Sequence, residues 1–185
     1  TCNQITDATA ANKLAEAVLS KWRYSAEAQG SLKNFGPISA QFLWGVFVHS
    51  SRLIQYEDKC IGPTEAIVFS TLMTNYGIMN LKSLIITNED MPLGIGTVGA
   101  RDIAKGLAHN PQLTYLNISH NDIRNSGAEA IIHQLTNSLT SLDISHNNLT
   151  NEIWKLPDVY WLDKLTSLTS LSALSVGGNG RETAF

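Results

Sequence analysis

Leu113-Thr-Tyr-Leu116-Asn-Ile118-Ser-His-Asn121-Asp-Ile123 and Leu139-Thr-Ser-Leu142-Asp-Ile144-Ser-His-Asn147-Asn-Leu149 are two versions of one phrase. Both obey Leu-x-x-Leu-x-Ile-Ser-His-Asn-x-Ile/Leu, with apolar residues at positions one, four, six and eleven and asparagine at nine. The second copy begins 26 residues after the first, a step typical of chains built from stacked structural repeats. Partial copies flank the pair. Upstream, Leu81, Leu84 and Ile86 hold positions one, four and six and Met91 holds eleven, but position nine is Glu89 and Asn88 falls one residue early. Downstream, Leu171, Leu174 and Val176 are followed by Asn179 at nine. Leu162, Leu165 and Leu168 offer competing frames there, yet only the frame from Leu171 puts an apolar residue at six and asparagine at nine. The steps are thus 32, 26 and 32 residues.

Each phrase has a physical reading. Leu-x-Ile is a short strand that buries Leu and Ile and turns the residue between them outward. Parallel strands need a long crossover, which is usually helical. Gly99-Ala100 with Ile103, Ala104 and Leu107 matches Gly127-Ala128 with Ile131, Ile132 and Leu135, each set being one face of a helix. The spacing predicts strands at Leu84–Ile86, Leu116–Ile118, Leu142–Ile144 and Leu174–Val176, and helices at Gly99–Leu107 and Gly127–Leu135. An asparagine amide both donates and accepts, so position nine can satisfy backbone groups left over where strand becomes loop. Stacked copies then form a ladder through Asn121, Asn147 and Asn179.

With these motifs over about residues 81–179, the chain resembles leucine-rich-repeat proteins, and its Gly-Ala-x-x-Ile helix starts resemble the ribonuclease-inhibitor subclass. Its polar, irregular style is also similar to leucine-rich-repeat effectors that intracellular bacterial pathogens deliver into host cells. The resemblance implies an α/β solenoid, a curved parallel sheet with helices on its convex side, that buries each repeat against its neighbours. It also implies a cytoplasmic setting, or delivery from a bacterium into the host cytosol.

Composition sets the outer bounds. At 185 residues the chain suits a single domain with a sizeable core, and 43% apolar with 16% charged residues is an ordinary globular mixture. A formal charge of −3 gives no general attraction to nucleic acid or anionic membrane, and no apolar run approaches the ~20 residues of a membrane span. A secretory signal is also missing, although Thr1 in place of Met leaves room for a removed one. Cys2 and Cys60 make no disulfide framework and read as two free thiols in a reducing compartment, with one bridge as the alternative. Asn117-Ile-Ser and Asn148-Leu-Thr match the glycosylation sequon, but both fall out of the repeat consensus.

The ends divide the domain. Residues 1–36 form a helical cap: Asp7 caps a helix to Gly30 whose stripe of Leu14, Val18, Leu19 and Trp22 covers the first strand edge. Residues 37–80 read as a degenerate repeat. Phe42–Val48 is a buried strand or a buried helix, Leu53–Tyr56 is a second candidate strand, and Gly62-Pro63 opens a helix to Tyr76 with Ala66, Phe69, Leu72, Met73 and Tyr76 inward. Residues 81–179 hold the clear repeats and 180–185 a tail. The third crossover carries Trp154, Pro157, Tyr160 and Trp161, read as filler on the convex side.

Four features invite a catalytic reading. Gly94-Ile-Gly-Thr-Val-Gly99 spells the dinucleotide fingerprint, but seven residues part it from its strand, and Gly99 simply aligns with Gly127 of a repeat that lacks the other glycines. Ser-His-Asn occurs twice, whereas a triad needs groups converging from separate segments and in one copy only. His120 and His146 should stack about 5 Å apart, without a third ligand of suitable spacing for a metal. Cys60 has no identifiable base. The sequence therefore predicts neither an enzyme nor a cofactor.

What remains is a binding surface. In this motif positions three, five, seven, eight and ten face the concave side. The candidates are Ile85, Thr87 and Asp90; Tyr115, Asn117, Ser119, His120 and Asp122; Ser141, Asp143, Ser145, His146 and Asn148, with Ser83 and Asn88 beside them. Their mixture suits a protein partner anchored on Tyr115, and fits neither nucleic acid nor membrane. The resemblance implies that the domain occludes an enzyme; the alternative is an adaptor that recruits a host protein to another activity.

Overall fold

The computed structural model describes residues 61–75, 81–89, 94–150 and 160–179, the strand segments 34–35, 38–39 and 53–57, and single helical positions at Thr9, Lys13, Glu16 and Ala17. Most of the 7–30 helix lies outside these residues. So do Phe42–Val48, Leu93, Asp90, both cysteines, Trp154 and the tail.

An antiparallel pair, β1 (Asn34–Phe35) and β2 (Ile38–Ser39), comes first and straddles the line drawn at residue 36 between cap and degenerate repeat. The chain then alternates strand and helix: β3 (Leu53–Glu57), α1 (Pro63–Asn75), β4 (Ser83–Thr87), α2 (Gly96–Leu107), β5 (Tyr115–Asn117), α3 (Arg124–Gln134), β6 (Ser141–Asp143), α4 (Tyr160–Ser167) and β7 (Ala173–Ser175). These five strands form one sheet in the order β3-β4-β5-β6-β7, every neighbour parallel. Leu84, Leu116, Leu142 and Leu174 stand side by side, so all the sequence phrases are in register, including the disputed one at Leu171. Leu53–Tyr56 joins the sheet as its first described strand.

The core lies between sheet and helices. Leu84, Ile86, Leu116, Ile118, Leu142 and Ile144 point into it from the strands, and Ala66, Phe69, Met73, Ala100, Ile103, Leu107, Ala128, Ile131 and Ile132 meet them from the helices. At about 25 cal/mol per Å² of apolar surface buried, this interlayer is the main stabilising contribution. The paired Gly-Ala positions set how closely the helices stack. A Cβ on Gly99 would lie 3.0 Å from the Ala66 Cβ, and one on Gly127 2.9 Å from that of Ala100.

Several boundaries shift by a residue or more, and two of these shifts, at strand ends and at helix starts, have a local reason. The strands at Tyr115–Asn117 and Ser141–Asp143 stop one residue short of Ile118 and Ile144. The carbonyls of those isoleucines are taken by asparagine amides instead of a further strand bond: Asn121 and Asn147 both donate to Ile118, and Asn147 and Asn179 to Ile144. The helices begin three residues before their glycines, at Gly96 and Arg124. Both of those residues are left-handed, φ +63° and +56°, and both donate their N–H to an asparagine carbonyl of the next repeat, Asn121 or Asn147.

Candidate functional site

The asparagine ladder holds the loops that border the open face of the sheet. Asn147 Oδ1 accepts from the N–H groups of Asn121 (2.9 Å) and Ile123 (3.4 Å), while its Nδ2 donates to the carbonyls of Ile118, Ile144 and Ser145 at 2.9–3.1 Å. Asn121 makes the same pattern toward Ile95 and Ile86, and Asn179 toward Asn147, Leu149 and Ile144. Every side chain therefore ties its own turn to the repeat before it.

The ladder has a further rung that the motif did not place. Asn88, expected beside Ile85 and Thr87 on the open face, is buried. It accepts from Ile61 N–H at 3.0 Å and donates to the Ile61 carbonyl and to Asn121 Oδ1. Asn88 takes the role assigned to position nine because this turn reaches its asparagine one residue sooner.

A second series runs along the opposite strand ends. The hydroxyls of Thr114, Thr140 and Ser172 donate to the carbonyls of Lys82, Thr114 and Thr140, each at 2.9–3.1 Å. With both ends of β4 to β7 pinned to a neighbouring repeat, the face between them is a fixed surface.

On that face, the sheet register aligns Ser83, Tyr115, Ser141 and Ala173 in one row and Ile85, Asn117, Asp143 and Ser175 in the next. Strands about 4.8 Å apart make these rows continuous. Ile85, Thr87, Tyr115, Asn117, Ser141 and Asp143 are half-buried, as expected of side chains standing on a sheet without a layer above them. Ser119 and Ser145, expected to face outward with them, do not. They are 5% and 8% exposed. The Ser119 N–H and hydroxyl both donate to Asn117 Oδ1, and those of Ser145 to Asp143 Oδ1, at 2.6–3.0 Å. These serines turn the chain inward at the strand end and orient the residue at position five.

Positions eight and ten form the rim. His120 and Asp122, like His146 and Asn148, are left-handed, with φ between +52° and +57°. That conformation lifts their side chains out of the loop, and the imidazoles of His120 and His146 stack at 4.2 Å with planes 12° apart. The His146 ring also covers the backbone of Gly178, where a Cβ would come within 2.2 Å of it. Asp122 accepts from Asn148 Nδ2 at 2.7 Å and from Arg124 Nε and Nη2 at 3.3 Å. Partial burial raises the Asp122 carboxyl, but the bonds from Asn148 and Arg124 and the Arg124 charge outweigh it and hold the group below its ordinary value. Arg124 joins this rim from outside the repeat positions that face the open side, although a base two residues after Asp122 is visible in the sequence.

Geometry bears on two of the catalytic readings, the Ser-His-Asn turns and the glycine fingerprint, while Cys60 lies outside the described residues. The Ser145 hydroxyl donates to Asp143, and His146 stacks on His120, so the three build no proton relay. The amides near the glycine fingerprint are spent within the ladder: Ile95 N–H donates to Asn121 Oδ1 and Gly96 N–H to the Asn121 carbonyl. A Cβ on Gly94 would lie 2.4 Å from the Asn121 backbone, so that glycine serves packing. Among the described residues no three His, Cys, Asp or Glu side chains cluster as metal ligands, and no helix is long and apolar enough to cross a membrane.

Comparison with known proteins bears on the same repeats. A family model described as Leucine Rich repeat matches residues 109–131 and 137–153, the two full copies of the phrase. The fold is a leucine-rich-repeat solenoid. Among solved structures, the solenoid is similar to that of Leiomodin-1 Actin-Binding Site 2 (ABS2). The TM-score is 0.52 at 19% identity, covering 68% of this chain and 69% of that one, a likeness of fold. No curated protein matches the chain.

Proposed function

We propose that this leucine-rich-repeat domain is a protein-binding module whose concave face, centred on Tyr115, receives a protein partner. The observation that supports it is the surface itself. Two rows of half-exposed side chains, with one aromatic and one carboxylate among them, stand on strands fixed at both ends, next to a rim of stacked imidazoles and a tethered carboxylate. Such a face meets a partner with little ordering cost. Its breadth suits a protein better than a small molecule. The domain then acts without catalysis of its own, in the cytoplasm or in the cytosol of a host cell.

Occlusion of an enzyme, the mode suggested by likeness to ribonuclease inhibitors, and recruitment by an adaptor or a bacterial effector use the same surface. Adding the domain to the captured partner's own assay separates them, since inhibition at stoichiometric ratio supports occlusion. The leiomodin structure is named for an actin-binding site, which makes actin the first partner to test. Co-sedimentation with filaments and binding to monomeric actin are the direct measurements, followed by affinity capture with the wild-type face and a Tyr115→Ala control. Capture that is the same with both sinks the assignment of the concave face.

A further inference from the structure

Position five of the two full repeats carries one polar atom each that the fold does not use. Both side chains are aimed by the same clamp: Ser119 N–H and hydroxyl hold Asn117 Oδ1, and those of Ser145 hold Asp143 Oδ1. Because a backbone N–H can only donate, it settles which atom of the Asn117 amide is the oxygen. The second atom of each planar group, Asn117 Nδ2 and Asp143 Oδ2, lies on the side away from its serine, and no described residue bonds to either. Asn117 and Asp143 are register partners, so this donor and this acceptor stand side by side on strands about 4.8 Å apart.

Asp143 is also a charge without a counter-charge. It is half-buried, and the ion pairs among the described residues lie on the helices and at the rim without including it. The described bases of the repeats are placed elsewhere: Lys82 donates to Gln112, Arg124 to Asp122, and Arg101, Lys105 and Lys164 lie on helices. Across Ser83, Tyr115 and Ser141 in one row and Ile85, Asn117 and Asp143 in the next, this carboxylate is the one formal charge. Tyr115 stands on the same side, one strand over and two residues back, which puts the two Cβ atoms about 8 Å apart. Ser141, beside the ring, is small and leaves the space between ring and carboxylate open.

We propose that this space is the subsite for an arginine side chain of the protein partner. Its guanidinium donates to Asp143 Oδ2 and lies against the Tyr115 ring, while a partner carbonyl accepts from Asn117 Nδ2. The proposal rests on the reading of the open face as the binding face. Charge complementarity selects a cation, since a carboxylate drawn partly from water gains most from a charged donor. The ring selects arginine over lysine. A guanidinium is planar and weakly hydrated, so it stacks on an aromatic face while its edge donates; an ammonium is a strongly hydrated point charge.

The probes are the pentapeptide acetyl-Gly-Ser-Arg-Ser-Gly-amide and its versions with lysine or with citrulline, the neutral isostere of arginine. Each is titrated into the isotope-labelled chain, followed by amide NMR resonances. The arginine peptide should move the amides of Tyr115, Asn117 and Asp143 saturably, the lysine peptide should bind more weakly, and the citrulline peptide weakest. Asp143→Asn should weaken the arginine peptide about fivefold or more. It should keep the fold, because Asn117 already fills this position under the same serine clamp. No saturable shift, citrulline as tight as arginine, or lysine as tight as arginine overturns the proposal; if Asp143→Asn alters the circular dichroism spectrum, the peptide comparison on the unaltered chain decides. Failure of the face itself shows differently. A captured partner weakened by Tyr115→Ala but not by Asp143→Asn sinks the arginine subsite alone, whereas one indifferent to both sinks the open face as well.

Discussion

The Asn147 side chain meets five backbone groups drawn from two repeats, and all of them lie beneath the loops. A buried N–H or carbonyl left without a partner costs about 1–3 kcal/mol. Asn147→Ala should therefore lower the unfolding free energy by more than about 3 kcal/mol, read from the urea midpoint at unchanged slope. Asn147→Asp should be no milder, since an oxygen would then face the three carbonyls that now receive N–H donors. At Asp122 the effect is electrostatic. Its folded carboxyl lies below the ordinary range, so the folded state gains from its ionised form. That gain is present above the unfolded value of about 3.9 and is lost as pH falls through the lower folded value. Wild type should accordingly be more stable than Asp122→Ala at neutral pH, with the difference shrinking below about pH 4. The carboxylate is partly exposed, so the difference is small; a gap that persists in acid would assign it to packing.

Among the elements, the four leucines at position four are a natural comparison. Leu116→Ala removes a side chain buried on every side and should cost about 2–5 kcal/mol. Leu174→Ala, in the same phrase but 47% exposed, should cost clearly less. Equal costs would mean that the last strand is covered within the same molecule. This comparison also shows what a repeat motif tells and what it conceals. The phrase from Leu113 to Ile123 carries the strand, the inward leucines and the asparagine, because those roles depend on a period that survives in the letters. Asn88 escapes it, since one residue fewer in a turn moves the ladder position without changing the chemistry. Ser119 and Ser145 look like surface serines because outward alternation is assumed to continue past the strand. Their burial comes from the side chain two residues earlier, which accepts both of their donors. The left-handed starts of α2 and α3 are likewise legible at Gly96 and hidden at Arg124, where no glycine marks them.

At the scale of the molecule, the open face is a single object, and its proposed use is tested by substitutions that leave the ladder alone. Tyr115→Ala should weaken partner binding by about 2 kcal/mol or more if the ring is a central anchor, measured by calorimetry. Asp143→Lys should slow association with a basic partner, more so at low salt. Glu129→Lys and Gln134→Ala, exposed on α3 at the helical side, should change neither. If the α3 substitutions abolish binding and the other two do not, the partner sits on the convex side.

The stacking of strands in one direction, each rung gripping the repeat before it, also fixes how the molecule yields to force. Bonds between neighbouring repeats run along the axis of the stack, so a pull on its two ends loads the rungs in series. Tension at the β7 end then peels repeats away singly, like pages lifted from a pad, and a force–extension trace would show a low, stepped plateau. Pulling across a single strand would load several bonds at once and meet a higher peak. The ladder that makes the face rigid against side-on contact therefore leaves it soft to traction from its end.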